Sequence, residues 1–398
     1  MIVHRIAAAA GAVLMGTATL AGSAAGASTS SSASPASFVY RFGAVGSKGK
    51  IAATERLTPT PVSGIEGTVV QIATSNSDGY ALTSDGTVWA WGAGAFGELG
   101  NGSALRFELR AVRVQFPKGV RITSLANPMP FDGALAIDST GHAWAWGLNA
   151  SGDLCASTAV AQRPVRLPLA QVTLATGARD HSLLYAAGRV LACGDGAGGA
   201  LGTGSTTNVS TPTPVVGLPT TQVVALTSSW EGSGALLRDG TYWNWGYNAA
   251  GQLGNGTTTD SAVPVQVRLP DVVRQVFQGG SGPANGQTVA ILGNGSVWAW
   301  GDNTRGQLGD GTRTSSDVPV PVDVPSGTSF VKVASGGYAS YGIDRFGHLW
   351  SWGDNSNGQL GRASGPSVET RPVPVGIHAA QVSSTANNVA GFSREGRG

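Results

Sequence analysis

The stretch "SVWAWGDNTRGQLGDGT", from Ser296 to Thr312, decides the fold, because the chain contains six versions of it. Most versions have two tryptophans two positions apart, a Trp-Gly step and a Gly-x-Leu-Gly turn. The glycines of the step are Gly92, Gly147, Gly194, Gly246, Gly301 and Gly353. They recur about every fifty residues, a period that is typical of repeat architectures.

Each unit predicts a small antiparallel sheet. In Val88–Trp91 both tryptophan side chains fall on one face, because side chains alternate along a strand. Asp85-Gly86 before this pair predicts a hairpin turn, since these residues supply positive φ. Burying one tryptophan contributes at most roughly 4–6 kcal/mol to stability. An isolated sheet would expose its tryptophan face to water and would not gain this free energy. Radial stacking buries that face, and the repeat therefore predicts an all-β fold, a β-propeller.

The two ends of the chain supply one further unit. Phe38–Gly43 imitates the aromatic-x-Trp-Gly step, and Gln381–Ser384 resembles Gln71–Thr74 at the opening of the first complete unit. Ala390–Gly396 continues that match. We therefore predict a seven-bladed β-propeller over residues 38–398, with about four antiparallel strands per blade. Strands from both termini would close the last blade and remove the open edge of the ring.

The first residues have the layout of a secretory signal peptide. Arg5 precedes the uncharged stretch Ile6–Leu20, and Ala25-Gly26-Ala27 forms an A-x-A cleavage site. We predict that residues 1–27 are removed and that residues 28–37, rich in Ser and Ala, are a flexible leader. The protein is expected to be secreted after cleavage near Ala27, without insertion into a membrane.

Composition and charge exclude several classes of function. The 398-residue chain has a formal net charge of +2 and no basic run, so nucleic acid is not expected as a partner. Its 60 glycines and 12% charged residues indicate many tight turns. The five histidines lack zinc spacing, and no Gly-x-Ser-x-Gly motif occurs. Recurrent Asp residues occupy turn positions. We expect no metal, no other cofactor and no catalytic residues.

The repeats resemble those of the regulator of chromosome condensation family. The Gly-Gln-Leu-Gly motif is present in Asn248–Gly254 and again around Gly306 and Gly358. The resemblance covers roughly Phe38 to Gly396. It implies the propeller but no single activity, because the ring serves as a nucleotide exchange factor, a plant ultraviolet receptor and secreted bacterial β-lactamase inhibitors. The inhibitors match in compartment and blade count.

The photoreceptor's function does not transfer. Light sensing in that relative depends on a Gly-Trp-Arg-His-Thr loop, and the nearest counterpart here is Ser229–Ser233. Trp230 has the right place, but no Arg follows it. Exchange activity on a nuclear GTPase does not suit an exported protein either.

The informative positions are those at which the repeats disagree. A ring of loops varies on one face while framework positions repeat, as expected when a rigid scaffold presents a binding surface. Aromatic residues and Arg are common anchors of protein interfaces. The predicted contact residues are Trp230, Glu231, Phe131, Asp132, Arg179, Asp180, Tyr338 and Asn285. The alternative is that Trp230, Phe131 and Tyr338 only cap the central channel.

These observations predict an exported, non-catalytic and monomeric module that binds a protein or peptide, with an inhibitor as one form of such a module. Two alternatives stay open at this point. One is a propeller enzyme, a hydrolase or lyase, with its site in the central channel. The other is a structural protein of the cell surface.

The third unit is the divergent copy. Its Cys193 stands where the other units have Trp, and Cys155 in the adjacent unit replaces the glycine of the Leu-Gly step. In an exported protein, two such departures in neighbouring units suggest a disulfide. Two unrelated buried thiols are the equal alternative, and the geometry of the pair decides between them.

Overall fold

The computed structural model describes residues 38–43, 59–104, 107–230, 232–362, 364–384 and 388–393. The predicted signal peptide and leader lie outside these residues. The described chain is built from β-strands, with a short 3₁₀ helix at Ala197–Gly199. No helix in these ranges is long and apolar enough to cross a membrane.

The strands run through the whole described chain. In chain order they are β1 (Phe38–Gly43), β2 (Thr60–Pro61), β3 (Val69–Thr74), β4 (Asp78–Thr83), β5 (Val88–Ala93), β6 (Phe107–Arg113), β7 (Ile122–Leu125), β8 (Gly133–Asp138), β9 (Ala143–Leu148), β10 (Val160–Arg166), β11 (Val172–Gly177), β12 (His181–Ala186), β13 (Arg189–Gly194), β14 (Val209–Pro214), β15 (Val223–Ser228), β16 (Gly232–Leu237), β17 (Tyr242–Gly246), β18 (Ser261–Gln266), β19 (Val273–Gly279), β20 (Gln287–Leu292), β21 (Val297–Gly301), β22 (Ser316–Pro321), β23 (Phe330–Ser335), β24 (Ala339–Asp344), β25 (His348–Asp354), β26 (Val368–His378), β27 (Gln381–Ser384) and β28 (Asn388–Ser393).

Six blades are each formed by four consecutive antiparallel strands. Blades 1 to 6 are β3–β6, β7–β10, β11–β14, β15–β18, β19–β22 and β23–β26. A further four-stranded sheet, which we call the end sheet, has the order β27-β28-β1-β2. The inner strand β27 contacts both β23 of blade 6 and β3 of blade 1. The end sheet therefore lies between the last blade and the first.

The predicted number of seven blades is corrected to six blades of continuous chain plus the end sheet. The end sheet takes two strands from each end of the described chain, and its outer strand, β2, has only two residues. The sequence led to seven because Phe38–Gly43 carries the repeat motif and the unit closed by both termini was counted as a full blade. The motif marks one strand only and does not show that the outer strand of this sheet is reduced to two residues.

The second tryptophan of each pair is buried between blades. These residues are Trp91, Trp146, Trp245, Trp300 and Trp352, each at most 1% exposed. Trp146 of blade 2 donates from Nε1 to the carbonyl oxygen of Glu98 in blade 1 at 2.8 Å. Trp300 of blade 5 donates in the same way to Gln252 of blade 4 at 3.1 Å. Trp245 and Trp352 donate in the same way to Ala200 and Gln307, so these four indoles fill the space between two blades and satisfy a buried acceptor of the preceding one.

Glutamine side chains join neighbouring inner strands. Gln71 of β3 accepts from the backbone N–H of Leu125 in β7 and donates to its carbonyl, both at 2.9 Å. Gln381 of β27 makes the same pair of bonds with Ile72 of β3, both at 3.1 Å. The side-chain amide thus provides the pairing that the inner edge of a sheet lacks. The Gln381 bonds fasten the end sheet to blade 1.

Candidate functional site

The loops that follow the inner strands surround one end of the central channel, which we call the channel mouth. The cavity at this point has a volume of about 40 Å³. Every sheet contributes to its lining, through residues that include Asn76, Phe131, Arg179, Trp230, Gly280, Gly336 and Ser384. A ligand at this place would therefore touch the whole ring.

Three of the predicted contact residues meet at the channel mouth. The rings of Phe131 and Trp230 pack edge to face with their centroids 5.4 Å apart. The guanidinium carbon of Arg179 lies 4.5 Å from the centroid of the Trp230 ring. The two aromatic residues are half-buried and Arg179 is exposed. We call Phe131, Arg179 and Trp230 the aromatic cluster; it combines side chains of blades 2, 3 and 4.

Backbone hydrogen bonds between the loops hold the aromatic cluster in position. The N–H of Phe131 donates to the carbonyl of Ala178 at 3.0 Å, and that of Gly177 donates to Pro128 at 2.9 Å. The hydroxyl of Ser228, two residues before Trp230, donates to the carbonyl of Gly177 at 2.6 Å. The loops of three blades are thus tied to one another, and little ordering would be needed when a ligand binds.

Carboxylates from blades 1 to 3 lie beside the aromatic cluster. We call Asp78, Glu98, Asp132, Asp153 and Asp180 the acidic group. Asp78, Glu98 and Asp153 are buried, whereas Asp132 and Asp180 are partly exposed. The Nε of Arg179 lies 3.2 Å from Oδ2 of Asp180. Only part of the acidic group is therefore accessible to a ligand.

Burial and mutual repulsion raise the pKa of three of these carboxyls, Glu98, Asp132 and Asp153. Burial raises the pKa of Asp153 to about 7, and the charges of Asp180 and Asp132 add to the rise. Burial also raises the pKa of Asp132, where Asp180 adds to the rise and Arg179 opposes it. The pKa of Glu98 is raised, first by burial. The surroundings of Glu98, Asp132 and Asp153 thus stabilise the charged carboxylate less well than water does.

Besides Asp78, two members of the acidic group, Glu98 and Asp153, escaped prediction from the sequence. They occupy the position at which three other blades have glutamine, namely Gln252, Gln307 and Gln359. Glu98 keeps the structural task of that glutamine, since its Oε2 accepts the N–H of Phe96 at 2.7 Å. The sequence signal that could have identified Glu98 and Asp153 is an acidic residue at a position where the other repeats have an uncharged one. Asp residues were instead assigned to turns as a class.

The remaining predicted residues do not join the aromatic cluster. Asn285 of blade 5 donates from Nδ2 to the hydroxyl of Tyr338 in blade 6 at 2.5 Å, and both are half-buried. Neither residue lines the cavity of the channel mouth. Glu231 lies outside the described residues. The predicted surface thus divides into the aromatic cluster with its flanking acids and a separate Asn285–Tyr338 pair.

Cys155 and Cys193 form a disulfide between blades 2 and 3. Their sulfurs are 1.89 Å apart and their Cα atoms 5.5 Å. Both residues are buried, at 3% and 0% exposure. The geometry selects the bridge over two separate thiols.

The histidines have structural partners. Nε2 of the buried His181 lies 2.8 Å from Oγ of Ser233 in blade 4, and burial lowers its pKa to about 4. Nδ1 of His348 lies 2.9 Å from Oδ2 of Asp344 in its own hairpin. Within the described ranges, no group of three or more His, Cys, Asp or Glu side chains is placed to hold a metal ion.

Comparison with known families agrees with the repeat geometry. The family model of the regulator of chromosome condensation (RCC1) repeat matches residues 85–126, 187–236, 239–282, 294–343 and 347–390. The chain belongs to the RCC1-repeat family. A second model of the same repeat matches residues 330–359 of this RCC1-repeat chain.

RCC1-repeat relatives are found in several biological settings. The chain is 29% identical to the ultraviolet-B receptor UVR8 of Arabidopsis thaliana, over 73% of this chain and 66% of that protein. It is 30% identical to the mitochondrial RCC1 domain-containing protein RUG3 of the same plant, over 76% of this chain and 58% of that protein. The chain therefore spans less than two thirds of the length of these relatives.

Solved structures share the fold. Human WBSCR16 has a TM-score of 0.77 at 20% identity, with 91% of this chain and 99% of that chain covered. Prp20p from Saccharomyces cerevisiae, whose binding properties to Gsp1p and histones are described, has a TM-score of 0.76 at 19% identity. The coverage is 89% of this chain and 91% of that one. At these identities the likeness concerns the fold alone.

Proposed function

We propose that this chain is an exported, non-catalytic module that binds a protein or peptide at the channel mouth. The observation that supports this most directly is the aromatic cluster, in which three blades bring two aromatic rings and a guanidinium together at the rim of a cavity. Aromatic residues and Arg supply most anchors of protein interfaces. Occlusion of an enzyme's active site, as in an inhibitor, is one form that such binding would take.

The mouth is suited to a partner that arrives at a preformed surface. Its loops are fixed by hydrogen bonds between blades, so a partner would bury the half-exposed rings of Phe131 and Trp230 at a small entropic cost. The acidic group beside the rings would repel the phosphates of a nucleic acid. The protein Prp20p, which shares the fold, is itself described by its binding to proteins.

Export follows from the predicted signal peptide. Expression of the full sequence in an exporting host should release a chain that begins at Ser28, and intact-mass measurement of the culture medium would detect it. Retention of the full-length chain inside the cell would contradict export without bearing on the binding site.

Selection from a random twelve-residue peptide display library tests the binding function. The protein should enrich peptides whose binding is lost in the Phe131→Ala/Trp230→Ala variant. Phe346→Ala is the matched control, because Phe346 is an exposed aromatic residue with the guanidinium carbon of Arg345 4.7 Å from the centroid of its ring. It follows β24 and therefore lies at the end of its blade opposite to the channel mouth. Peptides that bind the double variant as well as the parent protein would overturn the proposal, as would a selection without enrichment.

A further inference from the structure

We propose that the recognised segment combines an apolar side chain with a Lys or Arg close by in its sequence. The apolar side chain would enter the channel mouth against Phe131 and Trp230, and the basic group would lie between Asp132 and Asp180. This inference rests on the proposed binding function and specifies the chemistry of the partner.

The internal comparison of repeats shows that two members of the acidic group, Glu98 and Asp153, occupy a position that an uncharged glutamine fills in three other blades. In blade 5, Nε2 of Gln307 donates to Oδ2 of Asp302 at 2.7 Å, and Gln359 makes the same bond to Asp354 in blade 6 at 2.9 Å. Blades 1 and 2 differ at both positions of this pair. The acids Glu98 and Asp153 replace the glutamine, and Ala93 and Leu148 replace the aspartate.

This double replacement has a cost in the isolated protein. The Gln–Asp hydrogen bond is gone, and a carboxyl is buried in place of the glutamine amide, at 2% exposure for Glu98 and 5% for Asp153. A buried charge without compensation disfavours the folded state. Perturbed carboxyls that cluster beside a cleft are a mark of functional sites. Blades 1 and 2 border the channel mouth where the aromatic cluster begins.

The accessible acids lie next to the aromatic cluster along the chain. Asp132 directly follows Phe131, and Asp180 directly follows Arg179. The side chain of Asp180 is 32% exposed and contacts Arg179, whose charge offsets one carboxylate of the group. The remaining acids leave an excess of negative charge at the rim, which an ammonium or guanidinium of the partner would neutralise. An apolar anchor and a basic group on neighbouring residues of one segment match this arrangement.

The members of the acidic group would act in two ways. Asp132 and Asp180 are exposed enough to contact the basic group directly. Glu98 and Asp153 are buried, so they would strengthen binding through the electric field at the rim and not through contact. Substitution of Glu98 or Asp153 should therefore weaken binding less than substitution of Asp132 and Asp180, because the buried acids do not touch the partner.

The same peptide selection at pH 7.5 tests this inference. Enriched sequences should contain Lys or Arg within two positions of an aromatic or aliphatic residue. A synthetic peptide of that sequence should bind Asp132→Asn/Asp180→Asn about tenfold more weakly and Asp153→Gln a few-fold more weakly. Asp260→Asn is the matched control, because Asp260 is an exposed acid on a blade 4 loop at the same face. Its variant should bind like the parent protein.

The outcomes separate this inference from the proposed function. Peptides that require Phe131 and Trp230 but lack a basic residue, or that bind the acid variants unchanged, would overturn the basic partner and leave the binding module intact. The absence of any peptide that depends on the aromatic cluster would overturn both. Asp153→Gln installs the residue that three other blades have, so a folding failure is not expected, and circular dichroism of each variant checks this.

Discussion

Cys155 and Cys193 together fill the space that a glycine and a tryptophan fill at four other junctions between blades. The pairs at those junctions are Gly100–Trp146, Gly202–Trp245, Gly254–Trp300 and Gly309–Trp352. A Cβ on Gly202 would lie 2.6 Å from Nε1 of Trp245, so the glycine makes room for the indole. Cys155 keeps the backbone of that glycine, with φ +56, and its side chain occupies the room that Cys193 leaves free.

Loss of the disulfide should destabilise the junction of blades 2 and 3. The bond joins residues 38 positions apart, and Cys155→Ala/Cys193→Ala should lower the free energy of unfolding by about 3 kcal/mol. Both sulfurs are buried, so a reductant should act slowly on the folded protein. Urea unfolding of the double variant beside the parent protein measures the loss. Identical midpoints would contradict a stabilising role.

The two cysteine positions should be energetically coupled. Cys193→Trp alone should destabilise the protein by several kcal/mol, because the indole would meet the side chain of Cys155 and break the disulfide. Cys155→Gly/Cys193→Trp restores the pair of the other junctions and should recover much of this loss. A double-mutant cycle of unfolding free energies measures the coupling. Additive effects of the two substitutions would show that the positions do not share one space.

Asp153→Gln should change how stability depends on pH. The pKa of Asp153 is about 7 in the folded protein, above the ordinary value of 3.8, so its favourable contribution is complete in acid and is lost as pH rises to about 7. The variant lacks this loss and should gain about 4 kcal/mol over the parent protein between pH 4 and pH 8. The charges of Asp180 and Asp132 act on this carboxyl, and Arg179 lies beside them; all three residues are present in both proteins.

Denaturant unfolding at several pH values gives this difference. The pKa of His181 is lowered to about 4 in the folded protein, from 6.5 in the unfolded chain. This histidine therefore lowers the stability of the protein as pH falls below 6.5, which is the opposite pH dependence to that of Asp153. It is present in both proteins and cancels. A constant difference between variant and parent across the pH range would show that Asp153 does not titrate near neutrality.

Gln381→Ala should loosen the end sheet. The substitution removes two hydrogen bonds at 3.1 Å between β27 and β3 and should cost about 1–3 kcal/mol. Amide hydrogen exchange should accelerate in β1 and β28, which complete the same sheet. Gln71→Ala removes the equivalent bonds between blades 1 and 2 and serves as the control, without faster exchange in the end sheet. Equal exchange patterns in the two variants would contradict a specific role in fastening the end sheet.

Much of the framework was visible in the sequence because the repeats constrain it. The pair of Trp300 and Gly254 recurs at fixed positions in the repeats. A Cβ on Gly254 would collide with the buried indole, so each such tryptophan requires a glycine at this position of the preceding blade. The blade count was less secure. Phe38–Gly43 has the pattern of a blade strand, but pattern alone does not record how its neighbours in the sheet are assembled.

The site was only partly visible. Phe131, Arg179 and Trp230 were predicted to share one face because the repeat register places them at one end of their blades. The stacking of Arg179 on Trp230 depends on distances between blades, which no local pattern contains. Tyr338 satisfied the same register and yet pairs with Asn285 outside the cavity. Glu98 and Asp153 were missed because a turn position hides whether its carboxyl points to solvent or into the protein.

The pairing of β1 with β28 also sets the order in which the sheets form during synthesis of the chain. Phe38 pairs with Ser393, so the first described strand to be synthesised finds its neighbour only when the last one has emerged. Blades 1 to 6 can each form from local chain, whereas β1 must wait beyond all of them. A chain cut short before β28 would therefore lose an internal strand of a sheet and not a dispensable tail. Only a chain that includes β28 would complete the end sheet.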